Sequence, residues 1–262
     1  MRVATWCIGG VRARLELLCH WLEHRKPHVV ALQKIQAPAK VFPADALRQA
    51  GYWSKSLCRP GSFGVALLVR RNLALPKQPQ VLCQGLPGGD DQDDRLLTVR
   101  IEDLVVSSVY APWADRKLHG FAGAVALKIA WLDRLIAHVK EARVAPDRSM
   151  LCGDFNVLPD DCPQRRVLGR TPKEKQRLEA LLATGFEDLY RCVHRSDPGL
   201  NYGFNPKTPP TSRLQLLLGS RNVAGSVQSA RVDMEYRAPL EDLPGRKWSS
   251  CAPVIVELGG QA

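Results

Sequence analysis

No run of eighteen consecutive apolar residues occurs in this chain, so no segment has the make-up of a membrane-spanning helix. The opening Met1-Arg2-Val3-Ala4-Thr5-Trp6 lacks the charged start and apolar centre of a secretory leader and reads as a strand. The eight cysteines (Cys7, Cys19, Cys58, Cys83, Cys152, Cys162, Cys192 and Cys251) include no CxxC pair. Their scatter argues against a zinc site or a disulfide framework, and several lie in apolar runs where a thiol behaves as a small hydrophobe. Reduced core cysteines in a reducing compartment, the cytoplasm, are the expectation. Internal repeats, long linkers and low-complexity tracts are also missing, so residues 1–262 read as a single domain.

Histidine is sparse. His20, His24 and His28 recur at every fourth position, yet they lie opposite the apolar stripe of their helix and Pro27 interrupts it, so they read as a solvated face rather than metal ligands. His119, His138 and His194 have no ligand-spaced partners, and no Ser, His and Asp arrangement is legible.

Basic residues, by contrast, are in excess: 37 Lys and Arg against 26 Asp and Glu give a net charge of +11 and a pI near 9.5. That balance favours a polyanionic partner, nucleic acid first. Arg165, Arg166, Arg170, Lys173, Lys175 and Arg177 cluster around Thr171-Pro172, as a basic loop feeding a helix would, and form a candidate phosphate-contacting surface.

Hydrophobic content of 45% supports a substantial core. Short apolar segments predict strands over 3–8, 29–32, 65–69, 96–101, 104–110, 150–154, 214–218 and 253–258. Helical spacing predicts helices over 11–25, closed by Pro27, over 123–143, and over 172–184, ended by Gly185. The tight connection Glu102-Asp103 demands an antiparallel pair, so the sheets are mixed. The expected fold is α/β: a four-layer sandwich of two mixed sheets packed face to face, with helices on both outer sides.

The most informative stretch is Gly153-Asp154-Phe155-Asn156, directly after the apolar Met150-Leu151-Cys152. Alternation at a strand end points Asp154 and Asn156 to the same side, where a carboxylate and an amide can share a metal or a phosphate oxygen. An ordinary loop also accepts this sequence; the preceding buried strand and the basic charge favour a site.

Together with Trp6-Cys7-Ile8-Gly9-Gly10-Val11-Arg12-Ala13-Arg14, Ala31-Leu32-Gln33-Lys34, Gly64-Val65-Ala66-Leu67-Leu68, Tyr110-Ala111-Pro112, Arg213-Leu214-Gln215-Leu216-Leu217-Leu218 and Ser249-Ser250-Cys251-Ala252-Pro253-Val254, this motif resembles the exonuclease III and abasic-site endonuclease family over essentially the full length. The resemblance implies the four-layer fold, a DNA partner and magnesium- or manganese-dependent phosphodiester hydrolysis in active members. It also implies which positions matter. Tyr110, Asp154 and Asn156 keep the family's residues, as does Arg95 less closely. The opening asparagine is Cys7, the metal-binding glutamate is Lys34, the aspartate after Arg-Ile is Gln215, and the final Asp-His pair is Ser250-Cys251. Asp233 falls in a later segment and does not replace the acid missing at Gln215.

Over the four acidic positions of the family pattern, formal charge moves from minus four to zero: Lys34 plus one, Asp154 minus one, Gln215 and Ser250 neutral. An ammonium at Lys34 repels a cation by about 4 kcal/mol per unit charge at about 4 Å and an effective dielectric of about 20. No metal is therefore expected at high affinity, and Cys251, without a matching histidine, reads as structural. Lys34, Asn156, Tyr110 and the basic stretch remain suited to hold a DNA backbone at ends, nicks or abasic sites, in a monomer with phosphodiesterase activity lost or very weak. Two alternatives stay open. One is an active, divergent nuclease that recruits magnesium through Asp154 with Asp90, Asp91, Asp93 or Asp94; the other is a protein-interaction module on the same scaffold.

Overall fold

The computed structural model describes residues 1–71, 78–88, 93–113, 116–141, 148–159, 171–203, 205, 208–238, 240, 241, 243 and 247–259. Arg165, Arg166, Arg170, Asp90 and Asp91 lie outside the described residues.

In chain order the strands are β1 (Arg2–Cys7), β2 (Val29–Gln33), β3 (Tyr52–Leu57), β4 (Val65–Arg70), β5 (Gln80–Gln84), β6 (Leu96–Ile101), β7 (Leu104–Tyr110), β8 (Ser149–Asp154), β9 (Phe186–Asp188), β10 (Gln215–Ser220), β11 (Val227–Val232) and β12 (Val254–Leu258). The helices are α1 (Leu15–Arg25), α2 (Ala44–Gln49), α3 (Arg116–Glu141), α4 (Pro172–Leu182), α5 (Leu189–Val193) and α6 (Arg221–Ala224). Two six-stranded mixed sheets result, ordered β11-β12-β1-β2-β4-β3 and β5-β6-β7-β8-β10-β9. The expected hairpin at Glu102-Asp103 is present as the antiparallel β6/β7 pair, while β1/β2 and β7/β8 are parallel.

Period-two alternation assigns each side chain to a layer. On β8, Met150 and Cys152 join the core shared with the first sheet, whereas Leu151 joins Trp131, Leu132 and Leu135 of α3 and Leu178 and Leu181 of α4. On β10, Leu217 turns inward and Leu216 and Leu218 turn outward in the same way. Each such buried leucine contributes roughly 1.5–3 kcal/mol. Across the first sheet, α1 buries Leu17, Leu18, Trp21 and Leu22, with Trp21 against Trp6 at 5.3 Å between rings. Helices thus cover both outer faces.

Helix α3 begins earlier than its apolar spacing predicts, because two helical pieces meet at Gly120, whose backbone (φ 65°, ψ 176°) only glycine adopts readily. The residues preceding α1 form a short 3-10 turn over Arg12–Arg14 rather than a continuous α-helix from residue 11. Thr171 caps α4 through a reciprocal bond with Glu174, and Pro172 sits in its first turn.

Both parallel pairs lie at the centre of their sheets, and polar bonds tie the sheets together where these strands end. Gln33 Nε2 donates to Ser108 Oγ at 3.1 Å, Gln33 Oε1 accepts from Thr5 Oγ1 at 3.1 Å, and Ser108 Oγ donates to the Leu32 carbonyl at 3.0 Å. The carboxyl ends of β1, β2, β7 and β8 therefore meet at one mouth. At the last of these, Gly153 pairs with Val109, and a Cβ there would lie 1.9 Å from the Val109 carbonyl oxygen. Only glycine allows this approach, which explains the first residue of the Gly-Asp-x-Asn motif.

Candidate active site

The mouth holds a cavity of about 350 Å³ lined by Cys7, Lys34, Tyr110, Asp154, Asn156, Ser250 and Cys251 together with Gly9, Phe63, Trp113, Tyr202 and Leu214. Residues singled out from separate motifs converge here. A larger hollow of about 870 Å³, near Cys19, Lys26, Arg70 and Arg71, contains none of them.

Asp154 ends β8 and is 4% exposed. Burial raises its pKa to about 6, against the lowering effect of the Cys7 thiol, the Asn156 N–H at 3.1 Å, Lys128 and Lys34. Asn156 adopts the left-handed backbone (φ 51°) that asparagine tolerates, and its Nδ2 donates to the Ala111 carbonyl at 2.8 Å. Beneath it, Lys128 of α3 donates to the Asn156 carbonyl at 2.7 Å and pairs with Glu174 of α4 at 2.8 Å, with both charged groups fully buried.

Lys34 follows β2 with a left-handed backbone of its own (φ 55°), uncommon for a residue with a Cβ. Its ammonium lies 5.5 Å from the Phe63 ring centre, and Phe63 meets Tyr110 edge-on at 5.8 Å. The Tyr110 hydroxyl is held well above its usual pKa by burial, then by Cys7 and Asp154, so it remains a proton donor. Arg95 lies over the outer side of the Tyr110 ring at 5.3 Å.

Gln215 begins β10, fully buried. Its Oε1 accepts the Cys7 backbone N–H at 2.6 Å, its Nε2 donates to the Ala252 carbonyl at 2.8 Å, and Asn201 Oδ1 receives its backbone N–H at 3.2 Å. The side chain bridges β1, β10 and the approach to β12 as a structural strut. Ser250 lines the cavity, and its carbonyl accepts from Gly203 N at 3.1 Å.

A hard divalent cation needs several oxygen ligands. Asp154 is the one carboxylate among the described residues lining the cavity, the Gln215 oxygen is already taken, and Lys34 places a cation beside them. This donor set does not fit such an ion. No cluster of three or more His, Cys, Asp or Glu suited to a metal occurs among the described residues. Of the alternative acids, the two described are engaged elsewhere: Asp93 accepts from Trp131 Nε1 at 2.8 Å and Arg134 at 3.1 Å, and Asp94 accepts from Arg59 N at 3.0 Å and from Ser62 Oγ. Asp233 binds Trp21 Nε1 and Arg25 behind α1, so it does not stand in for the missing acid at Gln215.

Several sequence expectations are corrected. His20 and His24 are not simply solvated: their rings stack at 3.9 Å and His20 bonds the Tyr236 hydroxyl at 3.0 Å, while His28 accepts the Arg2 N–H at 2.7 Å. Arg177 pairs with Asp133 across α3 and α4 at 2.9 Å, which removes it from a free basic stripe. Among the described cysteines only Cys7, Cys152 and Cys251 are buried, and Cys192 is exposed. Sequence reasoning missed Phe63, Trp113, Tyr202 and Lys128; Phe63 and Trp113 adjoin recognised blocks, but nothing local marks Tyr202 or Lys128.

No helix among the described residues is long and apolar enough to cross a membrane. Residues 6–233 match the sequence profile of the Endonuclease/Exonuclease/phosphatase family. Recombination repair protein 1 of Drosophila melanogaster is 24% identical over 76% of this chain and 29% of its own length, and DNA repair nuclease APEX1 of Danio rerio is 27% identical over 74% of this chain and 63% of its own length. The chain thus spans less than two thirds of either relative. The solved 3'-5' exonuclease (NExo) from Neisseria meningitidis is similar in fold, with a TM-score of 0.86 at 23% identity, covering 99% of this chain and 100% of that one. The chain belongs to the Endonuclease/Exonuclease/phosphatase family.

Proposed function

We propose that this chain binds DNA as a relative of exonuclease III whose phosphodiester hydrolysis is absent or very slow. The observation that carries this reading is the pairing of Lys34 in the cavity with Gln215 tied to Cys7 at 2.6 Å. In this family, divalent metal supplies Lewis-acid stabilisation and an activated water. Here one acidic position carries an ammonium and another an amide whose oxygen is occupied.

Losing the metal removes water activation, and a positioned proton-transfer group alone contributes only about 10²–10⁴-fold. Asp154, with a pKa near 6, and protonated Tyr110 keep acid–base capacity without the ion that makes it productive. Phosphate binding does not require that ion, because the Lys34 ammonium supplies positive charge at the same mouth. The net charge of +11 and the relatives named as a DNA repair nuclease and a 3'-5' exonuclease support DNA as the partner. Backbone contacts position a duplex without reading its bases, so ends, nicks or abasic sites are the expected targets rather than a sequence, bound by a monomer.

The test is paired. Abasic and nicked duplexes are incubated with the chain and magnesium or manganese, and cleavage and salt-dependent binding are both measured. Binding that weakens steeply with salt, with no metal-dependent product, is expected. Metal-dependent products that vanish in Asp154→Ala overturn the proposal, and absence of binding at low salt leaves an interaction module instead.

A further inference from the structure

The fold brings together two cysteines that the chain places at opposite ends. Cys7 closes β1 and Cys251 precedes β12, and both thiols line the cavity at the mouth. The Ser249 hydroxyl fixes their backbones to one another: Ser249 Oγ donates to the Cys7 carbonyl at 2.9 Å and accepts from the Cys251 N–H at 3.2 Å. Trp6 Nε1 holds the Cys251 carbonyl from the other side at 2.9 Å. Cys251 and Asp154 both lie near enough to the Cys7 thiol to act on its ionisation.

Cys7, Cys152 and Cys251 all belong to the core between the sheets, but only Cys7 and Cys251 also line the cavity. We propose that Cys7 and Cys251 form a reversible modification site, a dithiol that a peroxide oxidises to a disulfide across the mouth. The inference concerns the same cavity as the proposed DNA grip, yet the cross-link itself does not depend on DNA binding.

The chemistry balances with hydrogen peroxide as oxidant. Cys7 is held protonated by Cys251, by burial and by the nearby Asp154. The Cys251 sulfur attacks one peroxide oxygen, the O–O bond breaks, and the departing hydroxide takes the Cys251 proton and leaves as water, giving a sulfenic acid. The Cys7 sulfur then attacks the Cys251 sulfur as its proton passes to the neighbouring Asp154 carboxylate. The S–S bond forms, and hydroxide departs and takes up that proton as the second water. The two thiols lose two electrons and two protons in total, and the peroxide becomes two waters.

Closure removes the thiol donor that favours the charged form of Asp154 and joins the end of β1 to the segment that carries Ser250. Reduction by a small dithiol reverses both effects. The five other described cysteines offer a control set, with Cys192 as the exposed competitor.

The experiment treats the reduced full chain with graded hydrogen peroxide, blocks remaining thiols by alkylation, and maps cross-linked peptides by mass spectrometry before and after dithiothreitol. A Cys7–Cys251 cross-link that appears at the lowest effective dose, disappears on reduction and is absent in both Cys7→Ser and Cys251→Ser is the expected result. If alkylation finds both thiols free while Cys192 oxidises, or if they advance to sulfinic acid without cross-linking, the proposal is overturned. Two single variants guard against one failing to fold, since either can supply the control. Loss of DNA binding in the reduced chain overturns the DNA reading alone and leaves the cross-link result standing.

Discussion

The side-chain oxygen of Gln215 lies 2.6 Å from the backbone nitrogen of Cys7, which makes position 215 a strut between β10 and β1 rather than a ligand facing the cavity. The amide is satisfied at both ends, because its nitrogen also donates to the Ala252 carbonyl. A buried amide so bonded is costly to disturb, since each orphaned partner costs about 1–3 kcal/mol. The same contact explains how a neutral side chain is accommodated where the family pattern has an acid.

Lys34 should act through charge at the mouth. Lys34→Gln is expected to weaken binding to nicked and abasic duplexes by similar factors and to reduce the slope of log affinity against log salt by about 1. Titrations at several salt concentrations check this. An unchanged slope means that the ammonium does not meet a phosphate.

Asp154 gives the stability a pH signature. Its pKa is about 6 in the folded chain against an ordinary 3.8, so the folded state holds the proton more tightly than the unfolded one. The contribution is fully present below about pH 4 and is lost as pH rises through about 6. Asp154→Asn should therefore gain on the parent by about 3 kcal/mol between pH 4 and pH 8. Denaturant unfolding at the two pH values measures it, and an equal difference at both contradicts it.

The pair Lys128–Glu174, fully buried at 2.8 Å, holds the carbonyl of Asn156 in place from below. Lys128→Met leaves the Glu174 carboxylate alone in the interior and should cost about 3–5 kcal/mol, whereas the double variant Lys128→Met with Glu174→Leu should recover most of that. Unfolding free energies of the two variants decide it. A double variant no better than the single one shows that the loss came from packing.

Strands that bury both faces, such as Leu104–Tyr110, stand out in the sequence because every position is apolar or small, and the fold follows from these together with the short Glu102-Asp103 connection. Strands on the rims do not. Tyr52–Leu57 carries Lys55 and two serines, Gln80–Gln84 alternates with solvent and shifts register at Val81/Cys83, and Phe186–Asp188 has only three residues. Their pairing is set by neighbours in space. In the site, Asp154 and Asn156 are legible because one strand end positions both. Lys128 reaches Asn156 from another helix, and Cys7 meets Cys251 only through the β1/β12 pairing, so a local motif carries no trace of either contact.

Missing cavity acids are what prevent cleavage. The direct measurement compares the parent with a variant carrying Lys34→Glu, Gln215→Asp, Ser250→Asp and Cys251→His, using an abasic duplex with and without magnesium. The parent should give no metal-dependent product while the variant cuts. Magnesium-dependent cutting by the parent that Asp154→Ala abolishes would contradict the account.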